Sequence, residues 1–535
     1  MGSALAQKFA QEGMTVVMVD TEDRFLEKGL GSIKATLDEG VNRKIFSEEQ
    51  VREIQKRIST TTDLENLANC QLIVEAVFED RKVKEDLFAQ ISAIVPSDTI
   101  LATNTSSFSV TDLSSSVSLP ERFLGLHFFY HAAKNRLVEV VKGGKTDENT
   151  FSEVLRFMQR CGKDPITCKD AHGFVVNRFF VPWLNEAVRL YEEDVAEPTV
   201  IDAIACQTFS CGMGPFALMN ATGIPIAYHT QKTLEQAYGE FYRPAKALAE
   251  QMNVGKPWSI SDGKQANEAQ SQIISDRFLG VVFLVCGQLL DEKICTAGDI
   301  NRGARIGLRW RKGPIEIYHK YGEKTIQKLA NTMADNWNLT APESLSPSKW
   351  QPDFITTDKS ANVGTITINR PEGLNAMNPL VISQLAKAFD DLNSDDTIDT
   401  ILLTGRGKAF VAGADIKFFI NHIQNNSINE IVSFTTEGHN LFLRIDDSPK
   451  KVVAAVNGLA LGGGVELALT ADIIIALNKA VFAFPETGIG IYPGLGGTQR
   501  TVDRIGKGLT KYLIYTGQMI DADTAEEIGL IDKAV

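Results

Sequence analysis

Residues 2–20, GSALAQKFAQEGMTVVMVD, decide how the first half of the chain is read. Ala4, Leu5, Phe9 and Ala10 fall at helical spacing, Gly13 breaks the pattern, and Thr15–Val19 reads as a strand closed by Asp20. A helix that opens at Gly2 and leads to a strand ending in a carboxylate is the second half of a dinucleotide-binding βαβ unit. Unpaired N–H groups at the helix start hold a pyrophosphate, and the carboxylate accepts hydrogen bonds from ribose hydroxyls. Asp20 there favours NAD over NADP, whose 2′-phosphate it repels. The first strand and glycines of such a unit do not precede Gly2, so the chain is expected to begin within the motif.

Further strands are read at Leu72–Val77, Thr99–Thr103, Phe123–Phe128 and Leu137–Val141, with a charged helix at Asp80–Ile94. This alternation predicts a parallel α/β sheet, a Rossmann domain lacking its first strand, over residues 1–170. From 171 to 330 helical patterns take over, as in Phe174–Glu193 and Ile273–Asp291. Asn177-Arg178-Phe179 returns as Asp276-Arg277-Phe278, and Gly214-Pro215 as Gly313-Pro314, both 99 positions later. Two copies of one all-α unit are expected. Residues 331–355, with Pro342, Pro347 and Pro352 and no periodicity, read as a linker. Over 356–535, strands at Thr365–Asn369, Thr400–Leu403 and Val452–Val456 and a helix at Pro379–Leu392 predict a second α/β domain.

The length of 535 residues suits several domains, and 44% hydrophobic with 23% charged residues is ordinary globular composition. A net charge of -13 supplies no basic field for nucleic acid or anionic lipid. The seven cysteines contain no CxxC pair, which fits a reducing compartment and a cytoplasmic location. Apolar runs such as Val281–Cys286 and Ile473–Leu477 are core-sized and fall short of the roughly 18–20 residues of a membrane span.

In the second α/β domain Gly462-Gly463-Gly464 opens a helix carrying Glu466, and Phe484-Pro485-Glu486 brings a second carboxylate. Adding water across a conjugated thioester needs a group that activates water, a group that delivers a proton, and donors for the developing enolate oxygen. Two carboxylates beside a glycine loop at a helix N-terminus supply all three.

The first 325 residues or so resemble a 3-hydroxyacyl-CoA dehydrogenase through Val19-Asp20, Val74-Glu75-Ala76-Val77, Thr103-Asn104-Thr105-Ser106-Ser107, His127-Phe128-Phe129, Leu137-Val138-Glu139-Val140, Gly173–Arg178 and Gly212–Phe216. The resemblance implies a Rossmann domain followed by a helical domain that some members carry twice. It makes His127 the base and Glu139 its orienting carboxylate, a pairing that oxidation of a hydroxyl requires. It places Ser106 and Asn177 on the substrate, and Gly2, Asp20, Glu79, Lys84 and Ser106 around NAD. The family's Asn-Pro after His-Phe-Phe is Tyr130-His131 here, a departure that bears on oxidation.

Residues 356–535 resemble the crotonase superfamily through Phe410–Asp415, Asn457–Glu466 and Pro493–Thr498. Possession of both glutamates is similar to enoyl-CoA hydratases. The resemblance implies a spiral of ββα turns in a homo-oligomer. Glu466 and Glu486 take the acid/base roles, the N–H groups of Ala412 and Gly463 the oxyanion hole, and Gly413, Ala414 and Asp415 contacts to CoA. Family members continue past the position of Val535, so truncation at that end is expected too.

The basic run Arg302, Arg305, Arg309, Arg311, Lys312 reads as a solvated helical face, and no Cys/His cluster with ligand spacing points to a metal. The sequence therefore predicts an NAD-dependent, acyl-CoA-acting bifunctional enzyme. The C-terminal part hydrates a trans-2-enoyl-CoA to the (3S)-3-hydroxyacyl-CoA, and the N-terminal part oxidises that to 3-oxoacyl-CoA. Two alternatives stand beside it: a hydratase with an inactive dehydrogenase scaffold, and a non-catalytic CoA-ester-binding module.

Overall fold

A computed structural model describes residues 1–260 and 267–535, which divide into two compact units, Met1–Pro352 and Asp353–Val535. In the first unit the strands lie in two sheets. β1 (Val16–Val19) pairs in parallel with β2 (Ile58–Thr61). A five-stranded sheet runs in the order β3 (Leu72–Glu75), β4 (Ile100–Thr103), β5 (Phe123–Phe128), β6 (Leu137–Lys142) and β7 (Asp164–Lys169). All neighbours are parallel except β5 and β6, so the expected sheet is mixed at that point. Both β5 and β6 are buried almost throughout, which is why they read as continuous apolar runs. The charged helix between β3 and β4 spans Arg81–Ile94, and Asp80 caps it by accepting from Val83 N at 3.0 Å.

The helical part is built twice. The first copy holds helices Val176–Glu192, Pro198–Phe209, Pro215–Thr222 and Ile224–Tyr238. The second holds Glu268–Asp291, Ala297–Arg302 with a wide turn at Gly303–Gly307, Pro314–Tyr321 and Glu323–Asn336. Starts at 198 and 297, 215 and 314, and 224 and 323 are each 99 residues apart. Left-handed residues repeat at the same shift, Asp194 with Lys293 and Ser210 with Arg309. So does a close contact: a side-chain carbon on Gly214 would fall 2.4 Å from Asp202, and one on Gly313 would fall 2.1 Å from Asn301. Asp202 accepts from Phe216 N, and Asn301 from Ile315 N, so each glycine lets a polar side chain cap the following helix.

The two copies exchange ion pairs. Arg178 reaches Glu292 at 2.6 Å, and Arg277 reaches Glu193 at 2.7 Å, residues that correspond under the same shift. Such reciprocity is the mark of two-fold packing. Among the described residues Glu268–Asp291 is the one helix long and apolar enough to cross a membrane, longer in apolar character than the sequence runs suggested. Its Phe278–Gly287 stretch is wholly buried at the centre of this region.

The linker expected at 331–355 is corrected. Glu323–Asn336 continues a helix, and Trp350 is fully buried, stacked on Tyr318 at 5.3 Å with its indole N–H on Ser344 O. The division between units falls between Pro352 and Asp353.

In the second unit one sheet runs β17 (Lys533–Ala534), β14 (Ile473–Ala476), β12 (Lys451–Val456), β10 (Thr400–Gly405), β9 (Val363–Ile368), β8 (Ile355–Ser360). The other runs β11 (Ala409–Ala412), β13 (Leu459–Leu461), β15 (Val481–Ala483), β16 (Ile520–Asp521). Consecutive pairs β10 and β11, β12 and β13, β14 and β15 send one strand to each sheet before a helix returns the chain. That is the expected ββα spiral. It aligns the ends of β11, β13 and β15, with Ala412 opposite Leu461 and Leu461 opposite Ala483.

Candidate functional site

In the first unit His127 and Glu139 are direct cross-strand partners on β5 and β6. His127 Nδ1 lies 2.5 Å from Glu139 Oε2. The other oxygen, Oε1, accepts from Val175 N at 3.0 Å and Val176 N at 2.9 Å, at the start of helix Val176–Glu192. The fully buried carboxylate is thus held by the positive end of a helix and spends its remaining oxygen on the imidazole. Rings of Phe129 and Phe174, at 4.8 and 5.7 Å, fix the plane of His127. With Nδ1 engaged, Nε2 is the nitrogen available to a reacting hydroxyl. Asn177 occupies the first turn of the same helix.

A second network shapes the Ser106 loop. Lys84, buried, contacts Glu75 at 2.7 Å and Glu79 at 3.2 Å. Glu79 Oε1 accepts from Ser106 N at 2.9 Å, Ser107 N at 3.1 Å and the Thr105 and Ser107 hydroxyls. Burial pushes the Glu79 carboxyl up, but Lys84 and these donors outweigh it and hold it below its ordinary range. Asn104 Oδ1 accepts from Phe128 N at 2.9 Å, tying the same loop to the end of β5 beside His127. Lys163, also buried, donates to the carbonyls of Ala132 and Asn135 and so clamps the connection between β5 and β6. Burial pushes its ammonium down to about 7. On that connection Tyr130 is 84% exposed, which leaves the phenol free of the dyad's packing.

A dinucleotide fits the Gly2 end. The helix Gly2–Gln11 has no side-chain cap and no acid in its first turn; Ala4 N–H donates to Met1 O, which leaves the N–H groups of Gly2 and Ser3 for an anion, and a side-chain carbon at Gly2 would meet nothing within 4 Å. Asp20 follows β1 directly and is exposed.

In the second unit the chain passes from β13 into Gly462, whose φ of 50° and ψ of -116° suit glycine. A side-chain carbon on Gly462 would fall 2.3 Å from Glu486 Oε1, one on Gly463 would fall 2.6 Å from the Met377 methyl and 3.9 Å from Glu466 Oε2, and one on Gly464 would strike the Val411 carbonyl. The triplet therefore lets Glu486, Met377 and a neighbouring strand close on one loop, with Glu466 in contact beside it. Glu466 Oε1 accepts from Leu495 N at 2.6 Å and Gly497 N at 2.8 Å. Burial pushes its carboxyl up to about 7, against those two bonds and with help from Glu486. Burial also raises Glu486, whose Oε2 is buried and has no hydrogen-bond partner.

The expected open donor at Ala412 is corrected. Its N–H already donates to Leu374 O at 3.0 Å, because Leu374–Met377 runs alongside Ala412–Asp415. Gly413 O accepts from Met377 N, Ala414 bridges Met377, and Asp415 Oδ2 pairs with Arg370 at 2.6 Å.

Residues 1–171 match the family description "3-hydroxyacyl-CoA dehydrogenase, NAD binding domain", residues 173–259 that family's C-terminal domain, and residues 358–535 "Enoyl-CoA hydratase/isomerase". A probable 3-hydroxybutyryl-CoA dehydrogenase of Deinococcus radiodurans is 37% identical over 256 residues, 48% of this chain and 92% of the relative. A crotonyl-CoA hydratase of Syntrophomonas wolfei is 43% identical over 182 residues, 34% of this chain and 68% of the relative. The chain belongs to the 3-hydroxyacyl-CoA dehydrogenase and enoyl-CoA hydratase/isomerase families. It is a bifunctional fatty-acyl-CoA enzyme with NAD as its cofactor. In fold, a crystal structure of 3-hydroxybutyryl-CoA dehydrogenase from Escherichia coli aligns with a TM-score of 0.58 at 23% identity, over 66% of this chain and 94% of that one.

In the dehydrogenase unit the structure brings His127, Glu139 and the Asn177 turn together, and joins Glu79, Lys84 and Ser106 in one network. Glu75, Asn104 and Lys163 went unassigned in the sequence. Asn104 lay inside the quoted Thr103–Ser107 motif, where an Asn just past a strand end was a usable signal. In the hydratase unit Glu466, Glu486 and Gly463 share one loop. Gly413, Ala414 and Asp415 line the adjoining stretch, where Asp415 is engaged by Arg370.

Proposed function

We propose that this chain hydrates a short trans-2-enoyl-CoA and oxidises the (3S)-3-hydroxyacyl-CoA so formed, two consecutive steps each run by its own buried acid/base pair. What carries the reading is that pairing: His127 against Glu139 in one unit, Glu466 and Glu486 around Gly462–Gly463 in the other. The names of the relatives, 3-hydroxybutyryl-CoA dehydrogenase and crotonyl-CoA hydratase, support a four-carbon acyl group.

In the hydratase unit ionised Glu466 takes a proton from water, whose oxygen adds to C3. Protonated Glu486, through the oxygen the protein leaves unpaired, delivers a proton to C2. Gly463 N–H, which opens the helix and has no main-chain acceptor among the described residues, donates to the thioester oxygen. In the dehydrogenase unit His127 Nε2 takes the hydroxyl proton while Glu139 holds the ring's orientation and stabilises its charge. Ser106 and Asn177 position the substrate oxygen. The helix start at Gly2 and the Asp20 carboxylate would hold NAD, with Glu79 and Lys84 shaping the Ser106 loop beside it. Bound there, the nicotinamide supplies the hydride acceptor.

The test adds crotonyl-CoA and NAD together and follows enoyl loss and NADH gain. Both signals moving supports the reading. Enoyl loss without NADH, even from supplied (3S)-3-hydroxybutyryl-CoA, moves the dehydrogenase unit to a scaffold role, and silence in both with any chain length sinks the proposal.

A further inference from the structure

The helix Pro198–Phe209 ends at Ser210, whose left-handed backbone at φ 52° turns the chain back over the last helical turn. That reversal places Cys211 against Cys206, sulfur to sulfur at 3.7 Å. Cys211 Sγ also lies 3.3 Å from Met213 O. Both thiols are half-buried, beside the exposed Gly212 and Met213. The other five cysteines stand apart from any such contact among the described residues, and Cys161, Cys168 and Cys286 are buried.

We propose that Cys206 and Cys211 are a reversible oxidation site, a dithiol that a peroxide or a small-molecule disulfide converts to an intramolecular disulfide. With a peroxide, the Cys206 thiolate attacks one oxygen, the O–O bond breaks, and a sulfenic acid forms on Cys206. Cys211 sulfur then attacks that sulfur, forming the S–S bond and expelling water. Two electrons and the two thiol protons pass to the peroxide: hydrogen peroxide leaves as two waters, an alkyl hydroperoxide as an alcohol and one water. With a disulfide oxidant, Cys206 forms the mixed disulfide and Cys211 releases the second thiol. A dithiol reductant reverses either route.

Three observations favour this order and its reversibility. The Met213 carbonyl, 3.3 Å from Cys211 Sγ, accepts from that thiol and holds its proton, and the contact between the sulfurs lowers the Cys206 thiol and raises that of Cys211, so Cys206 is the attacking sulfur. The sulfurs must close from 3.7 Å to about 2.05 Å, and Cys211 sits on a turn beside exposed Gly212 and Met213, outside the helix that holds Cys206. A ring spanning only Cys206–Cys211 gains little from loop closure, which makes a labile bond rather than a structural one. The pair is also not demanded by the fold. In the second helical copy Arg305 and Trp310 occupy the corresponding positions, Arg305 paired with Glu316 and Trp310 buried. The turn it would fix carries Ser210 O, which accepts from Arg311 N of the second copy at 3.1 Å.

The experiment uses the full chain. Trypsin releases Leu190–Lys232, which holds both thiols and no other cysteine. After oxidised glutathione, that peptide should be lighter by two hydrogens and refuse alkylation until dithiothreitol is added. Cys211→Ser should trap glutathione on Cys206, and Cys206→Ser should leave Cys211 reacting on the order of tenfold more slowly. Full alkylation of both wild-type thiols after oxidant, while glutathione accumulates on Cys70, overturns the proposal, and this wild-type arm needs no variant to fold. Equal trapping in the two variants overturns the assignment of Cys206 as attacker.

Discussion

Glu139 and Glu466 are buried carboxylates whose Oε1 accepts two backbone N–H groups, from Val175 and Val176 in the dehydrogenase unit and from Leu495 and Gly497 in the hydratase unit. They differ in what faces them. Glu139 spends its second oxygen on His127 Nδ1, whereas Glu466 looks onto a glycine loop and a second carboxylate. The same pair of main-chain donors therefore serves two ends. With an imidazole beside it, the carboxylate is placed to hold that ring's orientation, the role proposed for Glu139. In Glu466, raised by burial and further by Glu486 beside it, the carboxyl rises to about 7, where it can exchange protons at neutral pH.

The largest break in this comparison comes from Glu139→Gln. The amide still accepts from Val175 and Val176, but its NH2 faces Nδ1 and forces the ring into the tautomer that cannot take a proton at Nε2. NADH formation from 3-hydroxyacyl-CoA should fall on the order of 10³–10⁴-fold with hydration unchanged, the pattern known for a triad carboxylate. A loss under tenfold would mean that Glu139 is only packing. Glu466→Gln and Glu486→Gln should do the converse, cutting hydration by about 10²–10⁴-fold while oxidation of supplied 3-hydroxyacyl-CoA continues. Hydration surviving in Glu486→Gln would remove the proton-delivery role from that residue.

The shared features of the two sites differ in how legible they were. His127 and Glu139 could be paired because both sit on apolar strands and in family motifs, and the antiparallel register then made them direct neighbours. The donors that set each glutamate were invisible, since Val175, Val176, Leu495 and Gly497 act through backbone N–H groups 29 to 37 residues away. Side-chain identity says nothing about such bonds. The same limit hid the Ala412–Leu374 bond, a main-chain pairing set by two adjacent segments. The 99-residue repeat was readable because glycine and arginine recur where geometry demands them. The 331–355 stretch misled because, past the helix, its anchors are scattered: Trp350 in a pocket of Tyr318 and Phe283, buried Leu345, and the N–H groups of Glu343 and Ser344 on Asp291, none of them at a regular spacing.

A smaller effect sharpens the comparison through pH. If Glu466 must be ionised to activate water, hydration should lose about tenfold per pH unit on the acid side of a limb near 7. Measured as kcat/KM for crotonyl-CoA, a limb lying instead near 4.5 would mean that water reaches Glu466 in the free enzyme. Burial is the larger cause of the raised value and Glu486 a lesser one. The Glu466 carboxyl in Glu486→Gln, followed by NMR, should therefore titrate at lower pH than in the parent but still above 4.5.

The smallest effect is on stability, and its sign is fixed by linkage. Glu466 binds its proton more tightly folded, at about 7, than unfolded, at its ordinary 4.5. Between these values the native state holds more protons than the unfolded chain, so stability falls as pH rises and the loss is complete above about 7. Glu466→Gln cannot lose a proton, yet its amide oxygen can still accept from Leu495 and Gly497. The variant should gain on the parent in urea midpoint between pH 5 and pH 8, read by circular dichroism. All five tryptophans lie in the dehydrogenase unit, so their fluorescence reports that unit separately and should show no change. Glu139→Gln should leave the hydratase transition where it was at both pH values. A Glu466→Gln variant that tracks the parent across this range would mean that the carboxylate stays solvated, and the contrast between the two glutamates would then rest on geometry alone.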